Sequence, residues 1–490
     1  MLGLNKLILA FTVIAIATIP AASAFGCVVN VQETILHNGF EPCPRDQSAF
    51  VQLNTDVMVD STISTPILSK SITLSQPARI IAVADGRYFP FDAPAGSLRI
   101  AINGNESNST KAITDWGSSN KPVQHSFNVI SEADLQPGQH SIALMASALV
   151  TRPGRFKVGS GSALSIFVAP RSTTVISSLS GESNQINLTT YNPQQGIDTV
   201  EGGANRPSMT ILAHQAINDE SSDVFVVSML SGRAFHACNS GINGGRGDAL
   251  WGIWKNDACQ RTSNASWSVN DIDVGAEMTA PMYAHAFHTL NPGQAATISF
   301  RASELAFGSD QANYPSGAHE NGVCYKAGSA KLLSAISNSV IGSATTGPDA
   351  PCSTYTWRCI GSTQNHPGCP VAGSTVVLAS TNVSIPDWHD GTVFFSAKTR
   401  IQADNADGFS TVTLGIRVDG NQLGSVGVQQ LADGAGQASR TLSASYLSAA
   451  GTSSTRLLPG NHVVEVFVRI EGNNIKHASV PQELVLTYFD

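Results

Sequence analysis

Charged residues make up only 13% of this 490-residue chain, about half the usual share of roughly a quarter. The balance is weakly acidic, 28 Lys and Arg against 36 Asp and Glu, for a formal charge of −8. So little positive charge leaves no basic face for nucleic acid, and no nucleic-acid partner is expected. Beyond the N-terminal segment no apolar run approaches the ~20 residues a membrane span requires. There is no Cys-x-x-Cys and no His at finger spacing, which argues against structural zinc. Gly-x-Ser-x-Gly, which would project a nucleophilic serine, does not occur. His319-Glu320 is followed by Asn321-Gly322 and no second histidine at metalloprotease spacing. Gly241 to Gly247 is rich in glycine but lacks the Lys-Ser/Thr ending of a phosphate loop, so it reads as a turn segment.

What is present begins with a compartment signal. Residues 1–24 carry one positive charge, Lys6, then an apolar run from Leu7 to Ile19, then Ala22-Ser23-Ala24. That is the pattern of a secretory signal peptide, interrupted by Pro20 and too short to span a bilayer. Cleavage there would remove Lys6 and leave a mature chain secreted to the extracellular space, the cell surface or the periplasm, with no transmembrane segment. Eight cysteines follow, Cys27, Cys43, Cys238, Cys259, Cys324, Cys352, Cys359 and Cys369. An even number in an oxidising compartment is expected to form four disulfides. Proximity suggests Cys27–Cys43 and Cys238–Cys259, with the last four sharing two bridges, but spacing alone leaves 105 connectivities open.

A repeat organises the chain. Leu98 to Asn105 reads LRIAINGN and Leu414 to Asn421 reads LGIRVDGN, each an alternating run ending in a tight turn. Downstream lie Leu135-Gln136-Pro137-Gly138-Gln139-His140 and Leu457-Leu458-Pro459-Gly460-Asn461-His462, each followed by further alternation. A weaker copy falls between them, Trp251 to Asn256 and Leu290-Asn291-Pro292-Gly293-Gln294. The three prolines are 155 and 167 residues apart, far beyond the period of a solenoid. Each unit is long enough to bury a core, so the expectation is three domains in series, 25–172, 173–348 and 349–490, divided at polar joints near Pro170 and Gly347-Pro348.

Within the units the pattern is nearly all strand. Ile80 to Val83, Val224 to Val227 and Val393 to Phe395 are short β-branched or aromatic runs, and Leu484 to Phe489 closes the chain with another. Ala330 to Ile341 is the best candidate for a helix. Short strands with frequent turns indicate an all-β chain of antiparallel β-sandwiches, immunoglobulin-like or jelly-roll-like. The Leu-x-Pro-Gly-x-His corner followed by alternating Val and Ile resembles the late-strand corner of bacterial immunoglobulin-like domains. That resemblance implies a fold and no activity.

Candidate functional residues are sparse. His285 and His288 would share a helix face but point to opposite sides of a strand, which disfavours a joint metal. His140 and His462 take matching corner positions, where the middle copy has Ala295, and read as structural. Acidic stretches at Asn218 to Asp223, Asp271 to Asp273 and Asp404 to Gly408 are oxygen-rich loops of the kind calcium accepts, though none has EF-hand spacing. No other cofactor is implied. Five Asn-x-Ser/Thr triplets begin at Asn105, Asn108, Asn187, Asn264 and Asn382. Arg246-Gly247-Asp248 matches a tripeptide read by some cell-surface receptors. Trp251 and Trp254 follow it inside the longest loop-like stretch, Cys238 to Ser266, and three residues apart on a strand they face opposite ways. Arg246, Asp248, Trp251 and Trp254 are therefore the candidate ligand contacts.

Three functions fit. One is a secreted, non-enzymatic binding or adhesive protein whose partner is an extracellular glycan or protein. Another is a structural subunit of an extracellular fibre or surface assembly, pairing with copies of itself. The third is a secreted hydrolase whose catalytic carboxylates are dispersed in sequence.

Overall fold

The computed structural model describes residues 48–91, 96–113, 124–148, 155–169, 173–180, 186–187, 190–191, 209–236, 247–259, 265–269, 278–306, 325–337, 342–346, 356–360, 375–385, 393–403, 410–431, 439–448, 457–471, 475–479 and 482–488. Among these residues there is no helix, and hence none long and apolar enough to cross a membrane. The residues proposed as a signal peptide lie outside them. So do six of the cysteines; Cys259 and Cys359 lie in strands whose side chains are not described.

The same eight strands recur in each third of the described chain. The first set is β1 (Ala49–Gln52), β2 (Thr65–Leu74), β3 (Ala78–Phe91), β4 (Gly96–Ile102), β5 (Ala112–Ile113), β6 (His125–Leu135), β7 (Gly138–Ala148) and β8 (Ala163–Ala169). The second is β9 (Thr174–Leu179), β10 (Met209–Ile217), β11 (Val224–His236), β12 (Gly247–Lys255), β13 (Ala265–Val269), β14 (Met278–Leu290), β15 (Ala295–Ala306) and β16 (Tyr325–Ser337). The third is β17 (Gly342–Thr346), β18 (Thr375–Ile385), β19 (Val393–Ala403), β20 (Ser410–Val418), β21 (Asn421–Leu431), β22 (Ser439–Ser448), β23 (Gly460–Glu471) and β24 (Gln482–Tyr488).

In the first unit one sheet runs β1-β8-β3-β6 and the other β2-β7-β4-β5, all antiparallel. The order repeats as β9-β16-β11-β14 with β10-β15-β12-β13, and as β17-β24-β19-β22 with β18-β23-β20-β21. Two facing four-stranded sheets connected this way form a jelly roll. The expected all-β sandwich is present three times, with jelly-roll connectivity instead of the immunoglobulin strand order.

The sequence repeat marks one joint in each unit. Asn103, Asn256 and Asp419 take positive φ of 51°, 47° and 51° in the turn after β4, β12 and β20. The side-chain Oδ1 of each accepts a backbone N–H from the strand after the Pro-Gly corner: Ser141 at 3.0 Å, Thr297 at 2.8 Å and Val463 at 2.9 Å. In the outer units a histidine completes the clamp. His140 Nε2 donates to Gln136 O at 2.7 Å while Nδ1 accepts from Asn103 at 2.9 Å. His462 donates to Leu458 O and to Asp419 Oδ2, both at 2.7 Å. Burial works against a charged ring there, but the Asp419 and Leu458 oxygens outweigh it and hold the His462 pKa above its ordinary value.

Domains merely strung in series would each bury a separate core. The packing differs. β5 lies against β11 and β14 of the second unit, β13 against β19 and β22 of the third, and β21 against β3 and β6 of the first, while β6, β14 and β22 meet one another. The three jelly rolls thus close into a ring with approximate threefold symmetry. One hydrophobic cluster draws Ile81, Val83, Ile130 and Phe167 from the first unit, Met229 and Leu333 from the second, and Phe394 with much of the third. Phe167 meets Phe394 edge-on at 4.5 Å between centroids, and Phe50 meets Tyr446 at 5.7 Å. The Ala330–Ile341 stretch is strand β16 through Ser337, not a helix. Its even residues Ala330, Leu332 and Ile336 fill the core of the second unit, while Leu333 faces the shared cluster. A strand buried on both faces reads as an unbroken apolar run, which periodicity cannot tell from a buried helix.

The contact between the first and second units also holds a buried ion network. Lys331, 1% exposed, reaches Glu132 at 3.2 Å, and Arg79 reaches the other Glu132 oxygen at 2.7 Å. The Ser177 hydroxyl donates to Glu132 as well. Burial alone would raise the Glu132 carboxyl, but Lys331, Ser177 and Arg79 hold it below its ordinary pKa. Removing one partner of such a set strands a desolvated charge. Lys331→Ala should therefore destabilise the protein by about 3 kcal/mol, and adding Glu132→Gln should recover part of the loss, as read from urea unfolding midpoints.

Candidate ligand-binding face

The four sequence candidates are divided by the fold. Arg246 lies outside the described residues. Gly247 and Asp248 begin strand β12, where Asp248 stands between Ser268 and Leu305, so that two of the three residues of the tripeptide belong to a sheet and not to a turn tip. The stretch from Cys238 to Ser266, expected as a loop insertion, holds β12 and the start of β13, the fourth and fifth recurring strands of the second unit. Trp251 is 2% exposed, packs in the second core beside Ile253 and Phe300, and donates its Nε1 proton to Tyr283 O at 3.3 Å. Trp254 is half-buried on the opposite, outward face. Alternation along β12 separates them, as the spacing of three implied.

Around Trp254 the sheet gathers polar groups. The Arg301 guanidinium lies over its ring at 4.9 Å from the centroid. Arg301 also donates Nε to Ser299 Oγ at 3.2 Å and pairs with the Asp257 carboxylate. Asp257 follows β12 at φ 65°, with its side chain 84% exposed. Lys255 points the other way, toward β14, where it donates to Thr289 O at 2.9 Å and burial lowers its pKa. An aromatic face, a fork of donors and an open carboxylate within one patch can stack on an apolar ring face and hydrogen-bond its hydroxyls. Sequence reasoning found Trp254 but not Arg301, Ser299 or Asp257, because cross-strand register brings the first two to it: Trp254 stands opposite Ser299 and Gly252 opposite Arg301.

The corresponding places in the other units are closed. In the third unit Arg417 covers Phe467 at 4.3 Å, and Phe467 is 2% exposed, pressed onto Gly415 where any Cβ would meet the ring. In the first unit the equivalent positions hold Ala101 and Met145.

The other polar clusters among the described residues are tied into the packing. His285 and His288 do lie on opposite faces of β14. His285 Nδ1 is 3.1 Å from Ser396 Oγ of the third unit, whereas His288 belongs to the interior of the second. His214 Nε2 is 2.7 Å from Ser334 Oγ, which is 2.7 Å from Ser228 Oγ, and both serines are fully buried. In the Asn218 to Asp223 stretch, Asn218 ties the loop together by donating to Ser222 O and Leu290 O at 2.9 and 2.8 Å. The 271–273 and 404–408 acidic stretches lie outside the described residues. Among the described residues no group of three or more His, Cys, Asp or Glu side chains comes together as a metal site.

No protein-family model and no curated protein matches the chain. Solved structures similar to it include the sugar-binding C-terminal domain of EclA, 13% identical over 28% of this chain and 90% of that one, with a TM-score of 0.15. Infectious bursal disease virus VP2 is 10% identical over 89% and 82%, TM-score 0.19. A triple jelly roll from an archaeal virus turret is 7% identical over 89% and 90%, TM-score 0.17. The jelly-roll assignment rests on strand order and not on these scores.

Two outcomes follow for the described face and the core behind it. Trp251→Ala should cost about 3–5 kcal/mol as a core truncation, while Trp254→Ala should stay within about 1 kcal/mol, since surface changes usually do; chemical denaturation separates them. His288 is 7% exposed, neither ring nitrogen has a hydrogen-bond partner, and burial, then Lys255 and His214, push its pKa down to about 3. A depressed histidine favours the fold above its ordinary 6.5 and loses that contribution as pH falls toward 3. His288→Leu should therefore flatten the acid limb of stability between those values, measured by urea titrations at stepped pH.

Proposed function

We propose that the protein is a secreted, non-enzymatic binding protein that presents the outward face of its middle jelly roll to an extracellular glycan. The boundaries 25–172, 173–348 and 349–490 are taken as one jelly roll each, with the cysteines joined as disulfides outside the cell. The observation that carries this reading is the half-buried Trp254 ring flanked by Arg301 and the exposed Asp257 carboxylate. Sugars bind to such surfaces by laying apolar C–H faces on an aromatic ring while hydroxyls meet planar charged groups. Arg246 and Asp248 are proposed as further contacts.

The structural-subunit reading has one feature in its favour. β10 and β18 are outer strands that pair on one side among the described residues, and neither carries a proline or a formal charge, whereas β2 is blunted by Pro66 and Lys70.

A glycan array on the mature chain, followed by calorimetry on any hit, tests the first reading. Trp254→Ala and Arg301→Ala should each weaken binding at least about tenfold, the loss expected of a hot-spot contact, with Trp254→Phe retaining most of it. Unchanged affinity in both alanine variants would remove the site. Absence of any hit together with self-association of the same sample in sedimentation would favour the assembly reading.

A further inference from the structure

Each unit places one residue of its third strand at the same register against the neighbouring unit. Asp85 on β3 stands opposite Asn128, Ser231 on β11 opposite Tyr283, and Lys398 on β19 opposite Ser443. All three are at most 2% exposed. Where the first unit meets the second, the residue at this position is neutral: Thr110 Oγ1 lies 3.0 Å from Ser231 Oγ, which donates to Asn128 O at 3.1 Å. Where the third unit closes back on the first, the position is a carboxyl. The Ser425 and Ser445 hydroxyls of β21 and β22 face Asp85, yet its Oδ1 has no hydrogen-bond partner, nor does either polar atom of Asn128.

We propose that Asp85 makes the contact between the first and third jelly rolls a proton-dependent latch, tight while the carboxyl is neutral and loosened when it ionises. Among the described residues the surroundings supply no countercharge. From β21 and β22 it meets serines, and from β6 it meets Asn128. On β14 the nearest titratable groups are Tyr283, whose pKa the Asp85 charge helps to raise, and His285 beyond it, shared with Ser396. Arg87, two residues along β3, is committed to Ser160 and Gln124. Lys398 occupies the equivalent place in the third unit. The other hydrogen bonds across the closing contact end on backbone carbonyls: Gln52 donates to Gly424 O at 2.7 Å, Ser126 Oγ to Thr441 O at 3.3 Å and Val426 N to Gly161 O at 3.3 Å. At Gly424, φ +77°, a Cβ would strike Tyr446 and the Ser445 carbonyl, so β21 has no slack to rearrange around a charge.

Burial raises the Asp85 pKa from 3.8 to about 6, against the two serine hydroxyls that favour the charged form. A raised carboxyl stabilises the fold fully below its ordinary value, and that contribution is lost as pH rises to about 6. The full chain should be compared with Asp85→Asn and with Asp85→Ser, which copies the neutral contact at Ser231. Folding constants from urea titrations should coincide with wild type at pH 4 and rise to about 100-fold above it at pH 8, the two-unit pKa difference converted directly. Ser425→Ala should move the transition of the wild-type chain to higher pH. A wild-type-to-variant difference that stays constant from pH 4 to 8 in both Asp85 variants overturns the latch. So does a Ser425→Ala transition that does not move.

Discussion

Burial on both faces of the third strand in each jelly roll is the constraint on which this molecule turns. Along β3, Ile80, Ile81, Ala82, Val83 and Ala84 are all at most 1% exposed. One alternate set fills the first unit's own core, and the other enters the cluster shared by the three. A single jelly roll can cover just one side of that strand. The other side carries Ile81 and Val83 in the first copy, Val227 and Met229 in the second and Phe394 in the third, and must find a partner or face water at roughly 25 cal/mol per Å². Three copies on one chain, each lending its outer fifth strand to the next, satisfy all three at once. The closed arrangement follows from the need to cover the third strands, with no additional element required.

Such a centre would be indifferent to register if it were wholly apolar. Instead, polar groups are spread unevenly over the contacts. The first–second contact carries Lys331, Glu132 and Arg79 and the Thr110–Ser231 pair; the second–third contact carries Tyr283, His285 and Ser396; the third–first contact carries Asp85 with two serines. Buried ionic sets add little net stability over apolar replacements. They do penalise mismatched neighbours, because any wrong contact leaves a charge uncompensated. Three similar units on one chain face that problem acutely, since each could dock on either of the others. Distinct polar sets at otherwise equivalent positions are a physical means of fixing which face meets which.

How much of this could be read from the residues follows the range of the interactions involved. The strand runs at Ile80, Val224 and Val393 are local patterns, and they are the third strands of the units. The Asn-Gly turn and Pro-Gly corner are local too, and their recurrence reflects the clamp that Asn103, Asn256 and Asp419 make. The Trp251 and Trp254 alternation is a property of any strand. What stayed hidden depends on pairing between distant segments. Nothing near Ala330 to Ser337 says that both faces of that segment are covered, so an apolar run was read as a helix. Nothing near Trp254 announces Arg301, which arrives from another strand by register. The ring itself was invisible for the same reason, because a residue that faces a neighbouring domain has the same composition as one that faces its own core.

The ring also decides where a ligand could be met. With the β1-β8-β3-β6 type sheets turned inward and their far faces consumed by one another, the outward faces of the other three sheets are what the molecule can offer. Among these, the third unit seals its aromatic under Arg417 and the first has none at that place, while the second leaves Trp254 half-open beside Arg301. The middle copy is also the one whose corner has lost the histidine clamp, with Ala295 where the others have His140 and His462. Divergence from the repeat is thus concentrated in the unit whose outer face is chemically distinct. A scaffold of three similar units can hold two of them to the demands of closure and leave the third free to vary on its outer surface, because that sheet enters the closing contacts through its edge strand β13, and Trp254 stands on β12 beside it.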